Sequence, residues 1–180
     1  MNKIIFIFLF FFLFQNSSSA SNKTKIINKL NKTENLSFKF IQTINDKNEK
    51  GKCTIKYPKK IYCEYDKKIK KILVSNGKSL VIKKGKAYYR YILKSTPFEF
   101  LLDKKFLINK MNSSELNETD GNYFFFQINE DNNNINIFFS KKNFELVGWQ
   151  VEDAYQNLAV TYIFDIHING VVDEKLFKLP

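Results

Sequence analysis

The stretch KKILVSNGKSLVIKKGKAYYRYIL, residues 70–93, decides the fold. Asn76-Gly77 is a dipeptide typical of tight turns between antiparallel strands. A second reversal is predicted at Lys84-Gly85-Lys86. Because such short turns join neighbouring antiparallel strands, the stretch predicts a meander. The three predicted strands are 70–74, 79–84 and 87–93.

Strand patterns of the same kind lie on both sides of this meander. Apolar and polar residues alternate from Leu36 to Gln42, and residues 52–57 and 61–66 form a predicted hairpin around Pro58. After residue 121 the strand segments are NYFFFQIN, NINIFF, FELVGWQVED and NLAVTYIFDIHI. Ten or eleven antiparallel strands in about 160 residues predict one large curled sheet.

The last of these segments has two distinct faces. Asp165 and His167 are expected on a solvated outer face. With Ser140 or Ser75 they would suggest a hydrolase triad, but the sequence has no nucleophile-elbow motif, so we expect no enzyme activity. The residues expected on the opposite, apolar face are Leu158, Val160, Tyr162, Phe164, Ile166 and Ile168.

Two segments have helical periodicity. Residues 23–34 place Ile26 and Leu30 on one face of a short amphipathic helix, and residues 95–110 predict a second helix that begins at Pro97. Two small helices cannot cover both faces of a large sheet, but they can plug its concave side. The predicted class is therefore α+β, mostly β: an unclosed antiparallel barrel whose concave side is plugged by the helices and encloses an apolar interior.

Composition limits the chemistry. The chain has 180 residues, a formal charge of +11, one His, two Cys and six Gly. One His and two Cys exclude multi-histidine and four-cysteine metal sites, and the scattered Gly form no phosphate-binding loop. We expect no metal and no cofactor. Since Lys is abundant together with Asn, Ile and Phe while Arg is almost absent, the charge is weak evidence for nucleic acid, and we expect no nucleic-acid partner.

The first twenty residues have the pattern of a secretory signal peptide. Lys3 precedes an apolar run from Ile4 to Phe14, which is shorter than the about 20 residues that a spanning helix needs. Small residues before position 21 predict cleavage after Ala20 and a mature domain of residues 21–180. The alternative is an uncleaved membrane anchor.

Export would permit a disulfide. Cys53 and Cys63 each lie five residues from Pro58. A hairpin with its loop at 57–59 would set the two cysteines directly opposite each other, so we predict a Cys53–Cys63 disulfide. The alternative is two reduced, partly buried thiols.

Several segments, taken in chain order, match one known pattern. LSFKFIQTI, at 36–44, is similar to a Phe-x-x-x-Phe-x-Gln strand, and the hairpin around Pro58 is similar to one built on a basic-Pro pair. ILVSNGKSLVI is similar to a Val-Ser-Asp-Gly-Lys turn with Asn76 for Asp, STPFEFLL to a lid helix that begins at Thr-Pro, and the chain ends in Phe-x-x-Pro at 177–180. The sequence thereby resembles the periplasmic outer-membrane lipoprotein carrier family, LolA-like.

The fold that the resemblance implies is an unclosed antiparallel barrel with a helical lid over an apolar cavity. The resemblance also implies a function. Such proteins carry acylated lipoproteins across the periplasm, from an inner-membrane lipoprotein-releasing ABC exporter to an outer-membrane lipoprotein receptor. It implies neither enzyme chemistry nor a cofactor, and we expect a monomer in the periplasm. The alternatives left open are a general periplasmic lipid or hydrophobic-ligand binding protein of the same fold, and an interaction domain that senses lipoproteins without shuttling them.

The chain departs from the family pattern at the lid latch. The family often has Arg before the hairpin Pro, and this chain has Tyr57 there. A Tyr hydroxyl offers one donor where Arg offers five. The possible latch residues are therefore Tyr57 itself and Arg90, the single Arg of the chain.

Alternating apolar residues give a hypothesis for the cavity. We expect the lid to be formed by Pro97, Phe98, Leu101 and Leu102. The alternative for the wall residues is an ordinary strand core, and Trp149 in particular is typical of one. The predicted wall of the acyl-chain cavity is Phe38, Phe40, Leu80, Ile82, Tyr89, Tyr91, Phe126, Ile137, Phe139, Trp149 and Val151.

Two lysine runs, at 67–71 and 83–86, are predicted to be solvated flanks of turns. The alternative is docking to anionic lipid heads or to acidic partner surfaces.

Overall fold

The structure is a computed structural model that describes residues 17–66, 70–130, 133–152 and 157–180. Most of the predicted signal peptide lies outside the described residues. Its predicted cleavage site, after Ala20, falls within the first helix and stays a prediction. Among the described residues, no helix is both long enough and apolar enough to cross a membrane.

Three α-helices and two single 3-10 turns accompany the strands in the described part of the chain. The 3-10 turns are Leu93–Ser95 and Glu174–Phe177. The helices are α1 (Ser17–Lys32), α2 (Phe98–Leu102) and α3 (Lys104–Ser113).

All eleven strands of the described chain belong to one antiparallel sheet, which confirms the predicted fold class. The strand order is β6-β5-β4-β3-β2-β1-β11-β10-β9-β8-β7, with β6 and β7 as its two edges. The strands are β1 (Asn35–Ile44), β2 (Lys47–Lys56), β3 (Lys60–Tyr65), β4 (Lys71–Asn76), β5 (Ser79–Lys84), β6 (Ala87–Ile92), β7 (Asn117–Glu118), β8 (Tyr123–Glu130), β9 (Asn133–Ser140), β10 (Leu146–Glu152) and β11 (Leu158–Ile168).

The sheet is two meanders joined along one seam. Every neighbour is the next strand in sequence except β1 and β11, the first and the last, which pair with each other. The segment that contains α2 and α3 connects edge strand β6 to edge strand β7. The lid helices therefore link the two free edges of an unclosed sheet. We call the face on which the helices pack the inner face.

The predicted hairpin around Pro58 is confirmed. Strands β2 and β3 pair with Cys53 directly opposite Cys63, and a disulfide joins them. Gly51 stands beneath the edge-to-face rings of Phe40 and Tyr65, whose centroids are 5.0 Å apart. A Cβ atom at this position would lie 2.3 Å from the carbonyl oxygen of Glu64, so the close approach of β2 to β3 requires glycine.

A bulge in β11 corrects the predicted faces of that strand. Asp165 has a positive φ of 56°, and the register with β1 shifts between Ser37 and Lys39. Before the bulge the even-numbered side chains face outward, so Tyr162 is 45% exposed. After it, Ile166 and Ile168 turn inward and pack against the core. The prediction of one uniform apolar face was wrong because the extra residue reverses the alternation.

The predicted single helix at 95–110 is two helices. The backbone of Asp103 is extended, with φ −95° and ψ 92°, so α2 ends there. Its carboxylate accepts a hydrogen bond from the N–H of Phe106 at 3.1 Å, which caps α3. The first helix is also shifted: α1 begins at Ser17 and ends at Lys32, earlier than the predicted 23–34.

Candidate ligand-binding site under a helical lid

An apolar pocket lies between the lid helices and the inner face of the sheet. Its lining comes from α1, the lid and strands on both sides of the seam, and Tyr57 provides its one hydroxyl group. The lining residues are Leu30, Ile55, Tyr57, Ile61, Phe98, Leu101, Leu102, Leu107, Ile137, Phe139, Leu146 and Trp149.

The pocket is closed by its own side chains. The enclosed space is about 20 Å³, which is room for about one water molecule. Leu101 is 8% exposed and Leu102 is 1% exposed, so the lid residues fill the space beneath them. An acyl chain can enter only if the lid moves away from the sheet.

The helix α3 is clasped to α1 at both ends. The Lys104 ammonium, at the start of α3, donates to the carbonyl oxygens of Asn31 and Thr33 at 3.0 and 2.8 Å. The Lys23 ammonium, near the start of α1, donates to those of Asn112 and Ser114 at 2.9 and 2.7 Å. Each lysine thus satisfies carbonyl groups at the end of the other helix, where a cation is favourable.

Lys59 ties the short helix α2 to the hairpin tip. Its ammonium lies 2.5 Å from a carboxylate oxygen of Glu99, on α2, and 3.2 Å from one of Asp103. Its backbone N–H donates to the carbonyl oxygen of Leu102 at 2.9 Å. The hydrogen bond to Glu99 raises the pKa of Lys59, and partial desolvation opposes that rise without cancelling it. Lys59 is therefore the cation that holds α2 against the hairpin tip.

Neither of the two predicted latch residues makes this ionic contact. Tyr57 lines the pocket, with the Lys104 ammonium 5.6 Å from its ring centroid. Burial raises the pKa of its hydroxyl. Arg90 lies exposed on β6 and donates to the hydroxyl oxygen of Ser79 at 3.1 Å, away from the lid. The family pattern has its basic residue before the hairpin Pro, whereas the lysine that contacts the lid in this chain, Lys59, follows Pro58.

The register places all eleven predicted wall residues on the inner face. Ile137, Phe139 and Trp149 line the pocket itself. Tyr89 and Tyr91 also point to the inner side, but β6 extends beyond the lid, so they are 52% and 46% exposed and lie outside the pocket. Among the predicted lid residues, Phe98, Leu101 and Leu102 line the pocket, and Pro97 precedes α2.

The remaining wall residues of the prediction are buried or partly buried. Phe38, Phe40, Leu80 and Phe126 belong to the core, and Ile82 and Val151 pack against it. Phe38 meets Trp149 edge to face, with ring centroids 6.2 Å apart. Whether any of these residues contacts an acyl chain stays a prediction.

Five lining residues were missed by the sequence analysis. Ile55 and Ile61 continue the inner-face alternation of the hairpin, which is a signal that strand pairing could have provided. Leu30 and Leu107 lie on helix faces whose orientation only the packing of α1 against α3 reveals. The fifth, Leu146, lies at the start of β10.

Two of the residues considered for a hydrolase triad, Asp165 and Ser75, have other partners in the described part of the chain. Asp165 pairs with Lys39 at 2.7 Å, and this contact lowers the pKa of the Asp165 carboxyl. The Ser75 hydroxyl is fully buried, donates to the carbonyl oxygen of Lys59 at 2.9 Å and accepts from the N–H of Gly77, so it shapes a turn. The described residues also contain no cluster of His, Cys, Asp or Glu that could hold a metal ion.

Comparison with protein families gives one match. The family model described as "Outer membrane lipoprotein carrier protein LolA" matches residues 31–180, from the end of α1 to the last residue. No curated protein matches the sequence significantly.

Solved structures resemble the fold at low sequence identity. A conserved protein from Thermus thermophilus has a TM-score of 0.52 and 7% identity, over 90% of this chain and 94% of that one. A LolA superfamily protein from Nitrosomonas europaea has a TM-score of 0.47 and 9% identity, over 89% of this chain and 97% of that one. At 7% identity, the likeness to the Thermus thermophilus protein supports the fold alone.

Proposed function

This chain belongs to the LolA family of outer membrane lipoprotein carrier proteins, and on that premise we propose that it shelters the acyl chains of lipoproteins in the periplasm. Export would follow from the predicted signal peptide. The lipoproteins would be received from an inner-membrane ABC exporter and passed to an outer-membrane receptor. The carrier would act without a cofactor and as a monomer, with no enzymatic step.

The observation that carries the proposal is the apolar pocket beneath a lid that the Lys59–Glu99 ion pair holds closed. Acyl chains cannot cross an aqueous compartment unaccompanied: each buried methylene is worth ~0.8 kcal/mol, so a sixteen-carbon chain releases on the order of 12 kcal/mol when sheltered. The inner face offers aliphatic and aromatic side chains on both sides of the seam. Such a lining accepts varied chains because it makes few directional contacts.

Closure of the lid limits how tightly cargo is held. The closed pocket has about 20 Å³ of free space, so binding must displace Leu101 and its neighbours and break the contacts of Lys59. The cost of opening is subtracted from the gain of burying the acyl chain. A carrier has to release its cargo, and a lid that favours closure weakens binding in the way that release requires.

A release assay tests the proposal. Spheroplasts that make a triacylated lipoprotein would be incubated with the exported protein purified from the periplasm. We expect the lipoprotein to appear in the supernatant as a one-to-one complex. The variant Leu101→Asp should release none, whereas Asn109→Asp, which places the same charge on an exposed position of α3, should act as the wild type.

Two results would contradict carriage of lipoproteins. If the lipoprotein stays in the membrane while the added protein is folded, shuttling is excluded. If the purified protein instead retains free lipid and releases no lipoprotein, the second candidate applies, a general periplasmic carrier of hydrophobic ligands. The apolar pocket would serve that function equally, because nothing in its lining selects for the peptide part of a lipoprotein.

A further inference from the structure

The net charge of the chain is concentrated in one segment. Residues 67–98 contain ten basic residues and no acidic one, so this segment carries +10 of the total formal charge of +11. The remainder of the chain is close to neutral. A compositional bias toward lysine does not by itself explain this segregation, because the rest of the chain has 19 basic and 18 acidic residues.

The described basic residues of this segment surround one edge of the sheet. Lys83, Lys84 and Lys86 flank the β5–β6 turn, and Lys78 and Lys94 flank the other end of the same hairpin. All five are exposed, and none has an ion-pair partner among the described residues. Two exposed lysines on other strands, Lys39 and Lys52, are by contrast paired with Asp165 and Glu64.

Edge strand β6 adds apolar side chains to this basic region. Tyr88, Tyr89 and Tyr91 are 45%, 52% and 46% exposed, and Ile92 is 69% exposed. The residues alternate between the faces: Tyr89 and Tyr91 point to the inner side, and Tyr88 and Ile92 point to the outer side. Because β6 is an edge strand, it also presents unpaired backbone groups.

We infer that the β5–β6 hairpin docks on the surface of a membrane that contains anionic phospholipids. Tyrosines on both sides of a projecting strand suit the head-group region, which can surround the strand, whereas a flat protein surface would cover one face only. Tyrosine favours the membrane–water interface, and lysine is attracted to anionic head groups. Lysine is a point charge that does not require the planar partner geometry of a specific protein contact.

The β5–β6 hairpin is close in the chain to the lid, so docking there would bring a membrane near the pocket. The chain leaves β6 through the 3-10 turn Leu93–Ser95 and reaches Pro97, at the start of the lid. A membrane bound at β6 would therefore lie beside the lid of the pocket. The docking itself does not depend on the proposed function, since it concerns a surface outside the pocket and needs no lipoprotein.

Sedimentation with vesicles tests the inference. The probes are vesicles of phosphatidylcholine and vesicles of an equimolar mixture with phosphatidylglycerol. We expect binding to the mixed vesicles only, weakening steeply as salt is raised. The variant K83E/K84E/K86E should bind at least about 100-fold more weakly, because each lysine near an anionic surface contributes about fivefold and reversal adds repulsion.

A matched variant separates the hairpin from net charge. K105E/K142E/K178E changes three exposed lysines elsewhere and has the same total charge. It should bind the mixed vesicles within about threefold of the wild type, since charges beyond the Debye length are screened. A second variant, Y88S/I92S, should bind several-fold more weakly even though its charge is unchanged.

Three results would overturn the inference: absence of binding to the mixed vesicles, equal losses in the two triple variants, or binding to polyglutamate in place of vesicles. The last would indicate an acidic protein partner. Uptake of a fluorescent fatty acid, measured on the same variants, should stay unchanged. Loss of vesicle binding with normal uptake, and the reverse, thus distinguish failure of the docking from failure of the proposed carrier function.

Discussion

Single residues decide how the lid is held. Lys59 is 27% exposed and Glu99 is 16% exposed, so their contact is shielded from water more than an ordinary surface pair. The same ammonium reaches Asp103, the residue at which the lid changes direction. One side chain thus couples the hairpin tip to both lid helices.

We predict that Lys59→Met loosens the lid. Loss of the cation leaves Glu99 and Asp103 without their partner and should destabilise the closed form by about 1–2 kcal/mol. Since ligand entry needs an open lid, the variant should take up a fluorescent fatty acid faster and more tightly than the wild type. Lys105→Met, an exposed change on α3, is the control. Equal uptake by both variants would refute the latch.

Gly51 provides a prediction about packing. In Gly51→Ala the new methyl group would meet the carbonyl oxygen of Glu64 at 2.3 Å and the Phe40 ring at 2.8 Å. Backbone cannot yield as a side chain can, so we expect a loss of about 1–3 kcal/mol in the free energy of unfolding, measured by urea denaturation. Gly170→Ala, where nothing lies within 4 Å of the added atom, should be neutral. A neutral effect at Gly51 would contradict the observed approach of β2 to β3.

For single residues, the sequence predicts partners within one hairpin better than partners that are distant in the chain. The Cys53–Cys63 disulfide was predictable because hairpin register follows from the position of the turn. The role of Lys59 was not predictable in the same way. Its partners lie about 40 residues away in sequence, and only the folded chain brings them together.

The helical lid is the element that covers the apolar pocket. Its two helices differ in their attachment: α3 is clasped to α1 by lysines at both ends, whereas α2 is held by Lys59 and by its apolar side chains. The break at Asp103 is what allows this difference, because a continuous helix would move as one body.

We predict that Leu101→Asp abolishes uptake of acyl chains. Leu101 is buried in the pocket, and a carboxylate there would lose its hydration in a lining that is almost wholly apolar. Binding of a fluorescent fatty acid should be lost while the far-ultraviolet circular dichroism of the sheet stays unchanged. Asn109→Asp should bind normally. If Leu101→Asp binds the fatty acid as well as the wild type does, α2 is not part of the binding site.

The disulfide gives a prediction for the β2–β3 hairpin, which has Lys59 at its tip. It closes a loop of ten residues, so the double variant Cys53→Ser/Cys63→Ser should lose about 2–3 kcal/mol in the free energy of unfolding. Thermal unfolding with and without reductant measures this loss, and the reductant should affect only the wild type. Two reactive thiols in the denatured, unreduced wild type would contradict the bridge.

Elements were predicted from periodicity with few errors, and each error has a local cause. The helix breaks at Asp103 because the carboxylate of this residue caps α3, which requires an extended backbone there. The reversed faces of β11 required a bulge at Asp165, which leaves no mark in the apolar pattern. Both are single-residue events that a pattern averaged over ten residues cannot detect.

Three titratable groups that lie in or beside the core have raised pKa values in the folded molecule. Burial raises the pKa of Tyr57 and of Tyr65, with Glu49 adding to the effect at Tyr65, and Lys59 has a raised pKa as well. Each of these groups therefore keeps its proton longer in the folded chain than in the unfolded chain.

We predict that stability falls as the pH rises above about 10. The unfolded chain loses the three protons first, so each group lowers the free energy of unfolding by up to about 1.4 kcal/mol per pH unit until its folded-state pKa is reached. Urea denaturation between pH 8 and pH 11 measures the slope. Tyr57→Phe/Tyr65→Phe should flatten it, and an unchanged slope in that variant would assign the loss to other groups.

The architecture of the whole molecule was largely predictable, but the set of side chains that line the pocket was not. Short turns after strands such as 71–76 dictate antiparallel neighbours, so the meanders follow from the sequence. All predicted wall residues lie on the inner face, yet only three of them line the closed pocket. Which of many apolar side chains meet under the lid depends on how α1 and α3 cross the sheet, and alternation carries no information about that.

The pairing of β1 with β11 has a consequence for how the chain acquires its structure. Each meander forms from neighbouring segments, and such local pairings are fast, whereas the seam must bring together the two extremes of the sequence. The entropy of closing that long loop makes the seam the slow step of folding. Until it closes, two half-sheets each expose an apolar face, and the chain is then most prone to aggregate.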